Sequence, residues 1–298
     1  MKIYTVPFLL LAFLLFSCNT EKNAADASGS FEAIETIISA EASGKILLFN
    51  VSEGEILKPG QSIGYIDSTQ LYLTKLQLIQ NRKAILSGRP DVKTQLESLK
   101  KELANAKEDQ KRLENLVKGE VASQKQLDDA NTRVAVLQSQ IDAQQSSLNT
   151  SSTALTEQGN TVEVQLAQIN DQLRKCKITN PIQGTVLSKY AEENEMTSPG
   201  KALYKIADLS TINLRAYISG NQLPQVKLNQ KVKVSTDDGK GGFKETEGII
   251  IWINDKAEFT PKTIQTKDER ANMVYAVKVS VKNDGVYKIG MYGEVKFQ

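Results

Sequence analysis

Histidine is absent from this chain of 298 residues, cysteine occurs twice and tryptophan once. Without histidine, the usual general base, the Ser/His and Cys/His nucleophile pairs and the commonest metal ligand are all missing. An enzyme is therefore not expected, and no catalytic, cofactor or metal residue is assigned. Cys18 lies in a leader-like segment, which leaves Cys176 without a disulfide partner and reads it as a small apolar packing residue. A charge excess is missing too: 37 Lys and Arg stand against 35 Asp and Glu, so no basic footprint marks a nucleic-acid partner. Nor is any apolar run long enough to span a bilayer. The stretch Phe8 to Phe16, following Lys2, has the length of a secretory h-region, which makes residues 1–17 a signal peptide.

That stretch ends in Leu15, Phe16, Ser17, Cys18, similar to the lipobox at which bacteria acylate the cysteine and cut before it. Two or more acyl chains anchor a protein stably where one does not. The polar, small residues from Asn19 to Ser30 read as a flexible tether, giving a lipidated segment over 18–30.

An internal repeat is the most informative feature. Gly44 to Asp67 aligns without gaps on Gly184 to Ala207, an offset of 184 minus 44, or 140 residues. Gly44, Leu47, Glu53, Glu55, Pro59, Gly60 and Ile66 all meet identical residues, and Gly54 meets Asn194, the other residue that tolerates a left-handed turn. Each copy reads as short strands with turns between them and has too few strands to bury its own face. The two should pair about a pseudo-twofold axis into one sandwich, which requires residues 67 and 178 to lie close together.

The segment between the copies must therefore leave and return. One strict heptad runs through Leu96, Leu99, Leu103, Ala106, Gln110, Leu113 and Val117, and a second through Leu127, Ala130, Val134, Leu137, Ile141, Gln144 and Leu148. Between them Gly119 supplies a helix stop and Ser123 an N-cap, so residues 68–177 form an antiparallel coiled-coil hairpin with its tip near 119–123. Pairing about that tip sets Leu103 opposite Leu137 and Leu99 opposite Ile141. Ser87-Gly88-Arg89-Pro90 interrupts the outgoing arm, and Asn149 to Thr153 with Gly159 should weaken the return arm at the same height. About 50 residues per arm project on the order of 75 Å.

Beyond Asp208 the composition turns to β: Ile212 to Ile218, Lys231 to Thr236, Thr246 to Ile253, Met273 to Val281 and Gly293 to Phe297. Trp252 sits in an alternating run and is expected in the core. Asp237 to Gly242 lacks the acidic spacing of a Ca²⁺ loop and the Gly-Lys-Ser/Thr ending of a phosphate loop, and reads as a hairpin turn.

A small split β-unit interrupted by a long hairpin resembles the periplasmic adaptors, or membrane fusion proteins of the HlyD type. The resemblance implies a mostly β protein with a long coiled-coil hairpin. A lipoyl-like barrel-sandwich domain (31–67 and 178–208) is split by the hairpin and followed by a β-barrel (209–250) and a membrane-proximal β module (251–298). That module would borrow an N-terminal strand near Phe31 to Ile38. Asn180-Pro181-Ile182-Gln183-Gly184 stands where the family often has Ala-Pro-x-x-Gly, a departure at Asn180 without obvious consequence. At the tip, Arg112, Leu116 and Ser123 have the spacing by which adaptors of this type dock on TolC-like outer-membrane channels. Phe259 to Thr263 and Asp268 to Tyr275 look like the end segment of adaptors of ABC exporters. The implied partners are an inner-membrane transporter of ABC or RND type, the channel, a membrane reached by the lipid anchor, and copies of the chain in a ring on the order of six. The implied location is the periplasm, on the inner membrane.

Two other readings are weaker. A lipoyl or biotinyl carrier needs a modifiable lysine on the turn that the hairpin occupies here. A passive lipid-anchored envelope stalk would account for the lipid and the coiled coil but not for the tip residues. The leader predicts that the mature chain begins at Cys18 and carries acyl groups; intact mass of the purified protein is the check, and an unmodified chain starting elsewhere would refute it.

Overall fold

The computed structural model of the protein describes residues 25–239, 242–259 and 273–297. Cys18 and the signal peptide lie outside them, as do Thr260 to Thr263 and Asp268 to Arg270. Fifteen strands and three long helices follow in chain order. β1 (Ala27–Glu32), β2 (Glu35–Ser39), β3 (Gly44–Phe49), β4 (Ile56–Leu57) and β5 (Ser62–Ile66) precede α1 (Thr69–Ser87), α2 (Val92–Lys118) and α3 (Gln124–Lys175). Then come β6 (Lys177–Thr179), β7 (Gly184–Lys189), β8 (Met196–Thr197), β9 (Ala202–Ala207), β10 (Thr211–Ser219), β11 (Lys231–Asp237), β12 (Phe243–Ile253), β13 (Glu258–Phe259), β14 (Met273–Lys282) and β15 (Tyr292–Phe297).

The repeat builds one sandwich. One sheet runs β2-β9-β7-β4 and the other β6-β5-β3-β8, so each half lends its shortest strand to the other half's sheet. The exchange is reciprocal bond for bond. Phe49 N–H donates to Glu193 Oε1 at 3.1 Å, and Lys189 N–H to Glu53 Oε1 at 3.0 Å. Gly54 N–H reaches Val186 O and Asn194 N–H reaches Ile46 O, both at 2.8 Å. Gly54 and Asn194 have φ of 83° and 70°, the left-handed turn that their residue types predict. Ile46, Leu57, Ile63, Ile66, Val186, Leu203, Tyr204 and Ile206 fill the space between the sheets. Ile66 N–H donates to Cys176 O at 2.8 Å, which places the two feet of the hairpin side by side. Cys176 is fully buried there, and burial pushes its thiol pKa up.

Asn180, expected to be without consequence, is a correction. Its side chain is buried and donates to Lys58 O at 3.0 Å and to Ile182 O, while its Oδ1 accepts from Tyr204 OH at 2.9 Å. The departure supplies the partner that a buried tyrosine hydroxyl needs.

The hairpin seam follows the heptads: Leu103, Ala106, Leu137 and Ile141 are buried together, with Leu99 and Val134 against them. Gln110 Nε2 crosses to Asn131 Oδ1 at 2.7 Å. The outgoing arm breaks after Ser87, and Asp91 caps α2 by accepting from Lys93 N–H and Thr94 N–H. Hydrogen bonds from Thr94, first its hydroxyl and then its N–H, hold the Asp91 carboxyl pKa below its ordinary value. The return arm does not weaken at that height, contrary to expectation: α3 runs unbroken for 52 residues, roughly 78 Å at 1.5 Å rise. No proline interrupts it, and the hydroxyls of Thr150, Thr156 and Thr161 donate to carbonyls four residues earlier instead of competing for the helix. Gly159 is a close contact rather than a weak point; a Cβ there would lie 2.8 Å from Leu86 Cδ2.

Six strands close an antiparallel barrel in the order β10-β1-β15-β11-β12-β14, with β10 pairing back to β14 from Thr211↔Lys282 to Ser219↔Val274. Strict alternation drives Ile212, Leu214, Ala216 and Ile218 inward. Phe31 stacks on Tyr287 at 4.9 Å inside the barrel. The expected boundary at residue 250 runs through this single barrel, because β12 crosses it and β14 and β15, from 251–298, pair with β10 and β11, from 209–250. The strand expected near Phe31 to Ile38 is two strands: β1 belongs to the barrel and β2 pairs with β9 in the sandwich. The tether expected through Ser30 also ends earlier, since β1 starts at Ala27. Gly29 there serves a close contact, because a Cβ on it would fall 1.8 Å from Arg215 O. Trp252 is at the surface, 37 % exposed, with Lys278 Nζ 5.5 Å from its ring centroid. A register shift between Ile250 and Trp252 moves the ring off the inward face. The Asp237 to Gly242 segment does join β11 to β12, and Asp238 N–H donates to Gly242 O at 3.0 Å.

The buried polar pair yields a stability prediction. Asn180→Ala should destabilise the protein by about 1–3 kcal/mol in denaturant melting, because Tyr204 OH loses its acceptor. Adding Tyr204→Phe should recover part of that loss, and a single variant as stable as the parent would contradict the assignment.

Candidate functional site: the hairpin tip

The end of the hairpin is built from three short devices. α2 stops at Gly119, and the chain reverses through Glu120 at φ 56°. Glu120 N–H then donates to Val117 O at 3.0 Å and Val121 N–H to Leu116 O at 2.9 Å, the bond pair of a Schellman stop. Gly119 was expected to be the stop, and the helix does end there, but the left-handed residue is Glu120. At the far side Ser123 caps α3: its N–H donates to Gln126 Oε1 at 2.8 Å and its Oγ accepts from Gln126 N–H at 3.4 Å. This reciprocal arrangement is a capping box, and it holds the turn at a fixed angle.

Arg112 and Leu116 lie one turn apart on α2, on one face of the helix. Leu116 is 37 % exposed, and its carbonyl is the one that receives the bond from Val121. Arg112 is exposed and pairs with Asp109 at 3.3 Å, a surface contact of small energetic worth. It borders a shallow groove between the helices that Leu113, Gln126, Asp129 and Arg133 also line. Ser123 begins the opposite helix beside Leu116, since Ala122 N–H also approaches Leu116 O at 3.4 Å. The three residues singled out by spacing therefore sit around one end of the hairpin. Val121 was not singled out, yet it is 76 % exposed and adjoins Leu116 at the very end. The available signal was an apolar residue inside an otherwise polar six-residue turn, Lys118 to Ser123.

The hairpin is also where the sequence matches a described family. Residues 90–157 match "RND MFP, alpha-helical hairpin domain". MacA from Actinobacillus actinomycetemcomitans has a similar structure, with a TM-score of 0.54 and 26% identity over 90% of this chain and 76% of that one. Fold and hairpin sequence alike are similar to those of the membrane fusion proteins, the periplasmic adaptors. A MacA–MexA chimera carrying the Pseudomonas aeruginosa MexA hairpin shares the fold at a TM-score of 0.52 and 24% identity, covering 91% of this chain and 80% of the chimera. Among curated proteins, a UPF0194 membrane protein of Acidithiobacillus ferridurans is 25% identical, over 84% of this chain and 80% of the relative. One from Yersinia pseudotuberculosis is also 25% identical, over 97% and 95%. No helix among the described residues is long and apolar enough to cross a membrane.

Ser123 has a role in the cap that can be separated from any role in contact. Ser123→Ala should lower hairpin stability by about 1 kcal/mol, whereas Ser123→Asp, another good cap, should keep it within a few tenths. Thermal melting of both variants followed by circular dichroism is the check; equal stability of the alanine variant and the parent would remove the cap from the account.

Proposed function

We propose that the chain is the adaptor subunit of a multi-component export or efflux system, linking an inner-membrane transporter to a TolC-like outer-membrane channel. The observation that carries this reading is the exposed Leu116, set between Arg112 and Ser123 at the end of a hairpin far longer than the sandwich needs for its own stability. An apolar side chain beside a helix end fits a groove between channel helices, with the guanidinium and the hydroxyl available to hydrogen-bond around it. Val121 extends the same apolar surface. The likeness to MacA supports the reading at the level of the whole architecture.

The matched hairpin family carries RND in its description, whereas Phe259 to Thr263 and Asp268 to Tyr275 resemble adaptors of ABC exporters. We favour ABC, because the hairpin tip addresses the channel and carries no mark of the transporter, which leaves the C-terminal resemblance to decide. In this reading Cys18 carries the lipid, the protein sits in the periplasm on the inner membrane, and copies close into a ring. The work is to hold two membrane proteins in register, which needs no catalytic residue.

Leu116→Asp should abolish export, because docking would desolvate an unpaired carboxylate at a penalty of several kcal/mol. Stability should stay within about 1 kcal/mol of the parent, since the site is at the surface. Leu137→Asp, in the buried seam, is the folding control and should unfold the hairpin. Export, thermal melting and crosslinking to the channel are measured together. Normal export and crosslinking by Leu116→Asp would return the hairpin to a passive stalk.

A further inference from the structure

The two ends of the barrel differ in what leaves them. The strand registers place Glu32, Thr211 and Lys282 at one end, and from that end the chain passes to β2 and arrives from β9. The opposite end carries Ala27, Ser219 and Val274, together with the start of β11 and the close of β12 and β15. The described chain begins at this second end, with Asp26 N–H donating to Val295 O at 3.0 Å. The N-terminal segment that carries Cys18 therefore joins the barrel on the side away from the sandwich and its hairpin.

Large apolar side chains are exposed at this end. Leu228 is 58 % exposed in the loop before β11, Ile251 is 44 % exposed near the close of β12, and Met273 is 57 % exposed at the start of β14. They protrude from three separate segments rather than lining one cleft. The Leu228 loop is fixed to β12, since Asn229 N–H donates to Ile250 O at 2.8 Å. The register shift that turns Trp252 outward lies in the same stretch. Lys227 and Lys256 are exposed in the flanking turns, with Asp255 beside the latter.

We propose that this end of the barrel rests on a lipid bilayer, with Leu228, Ile251 and Met273 entering its interfacial layer. The proposal rests on the reading of Cys18 as an acylated anchor. Only seven residues lie between Cys18 and Asp26, which is eight residue-to-residue steps. Eight such steps reach at most about 28 Å in any conformation. The anchor thus holds the apolar rim close to the bilayer surface, and burial of a few apolar side chains there adds to the acyl chains as a second attachment. A planar, fluid surface suits side chains that project separately, whereas a protein partner would need a matching relief.

Trp252 is the chain's sole tryptophan, so its emission reports on this end alone. The experiment uses the full mature protein in phosphatidylethanolamine and phosphatidylglycerol vesicles, with or without bromine on the lipid acyl chains. The expected result is a loss of Trp252 emission on brominated vesicles that is abolished in the triple variant Leu228→Ser, Ile251→Ser, Met273→Ser. The variant should still float with the vesicles through its acyl chains and melt as the parent does. Intact mass, taken on the same sample, separates the two ideas. A mature chain without acyl groups removes the anchor and overturns both. An acylated chain that floats but whose emission ignores the bromine overturns the seating and leaves the anchor standing. Emission that shifts only when membrane proteins are added assigns the rim to a protein partner, which also overturns the proposal.

Discussion

The exchange of β4 and β8 between the two half-motifs is the constraint on which the rest of the structure depends. Neither half can complete its own sheet, and the hydrogen bonds from Phe49 to Glu193 and from Lys189 to Glu53 form only when both are present. Once the halves close, Ile66 and Cys176 must be neighbours, and every residue between them has to go out and come back. A helical hairpin meets that demand with local hydrogen bonds alone, so its length is free to vary without disturbing the sandwich. The barrel is tied in similarly, because β1 and β2 are consecutive yet belong to different sheets.

Much of this was legible because the relevant signals are periodic. The repeat offset places β3 on β7, β4 on β8 and β5 on β9, and its extension backward also places β2 against β6, which inspection of the sequence alone had not proposed. The heptads marked the seam at Leu103, Leu137 and Ile141. What was not legible depends on contacts between distant residues. Ser28, Gly29 and Ser30 have the composition of a linker, and only the Arg215 carbonyl beside Gly29 shows why the middle one has no side chain. A one-residue register shift is invisible in an alternating run, so Trp252 was assigned to the wrong face. The separation of a barrel from a module beyond residue 250 failed for the same reason, since closure is decided by the pairing of β10 with β14.

At the tip, residue spacing located the candidate site but not its construction. Arg112, Leu116 and Ser123 gather where expected, yet Ser123 spends its hydroxyl on the cap and Arg112 has Asp109 as a neighbour. Glu120 takes a conformation that L side chains adopt at a penalty of roughly 1–2 kcal/mol. That penalty is met by the Schellman bonds on one side and the capping box on the other, and the turn they fix determines how Leu116 and Val121 are presented.

The two arms of the hairpin do not keep pace. From Gln110 down to Arg82 is 28 residues, but from Asn131 to Glu163, their respective partners, is 32. The missing four are absorbed at the break, where extended backbone climbs about 1.8 Å more per residue than a helix does. In mechanical terms the hairpin is a two-stranded strut with one strand cut at the level of Gly88 to Asp91, where Arg89 Nε reaches across to Thr156 Oγ1 of the unbroken α3 at 3.1 Å. The 27 residues of α2 above the cut form a lever of about 40 Å, so ten degrees of flexure there swings the tip sideways by about 7 Å. The sandwich can thus stay fixed while the far end of the strut moves sideways.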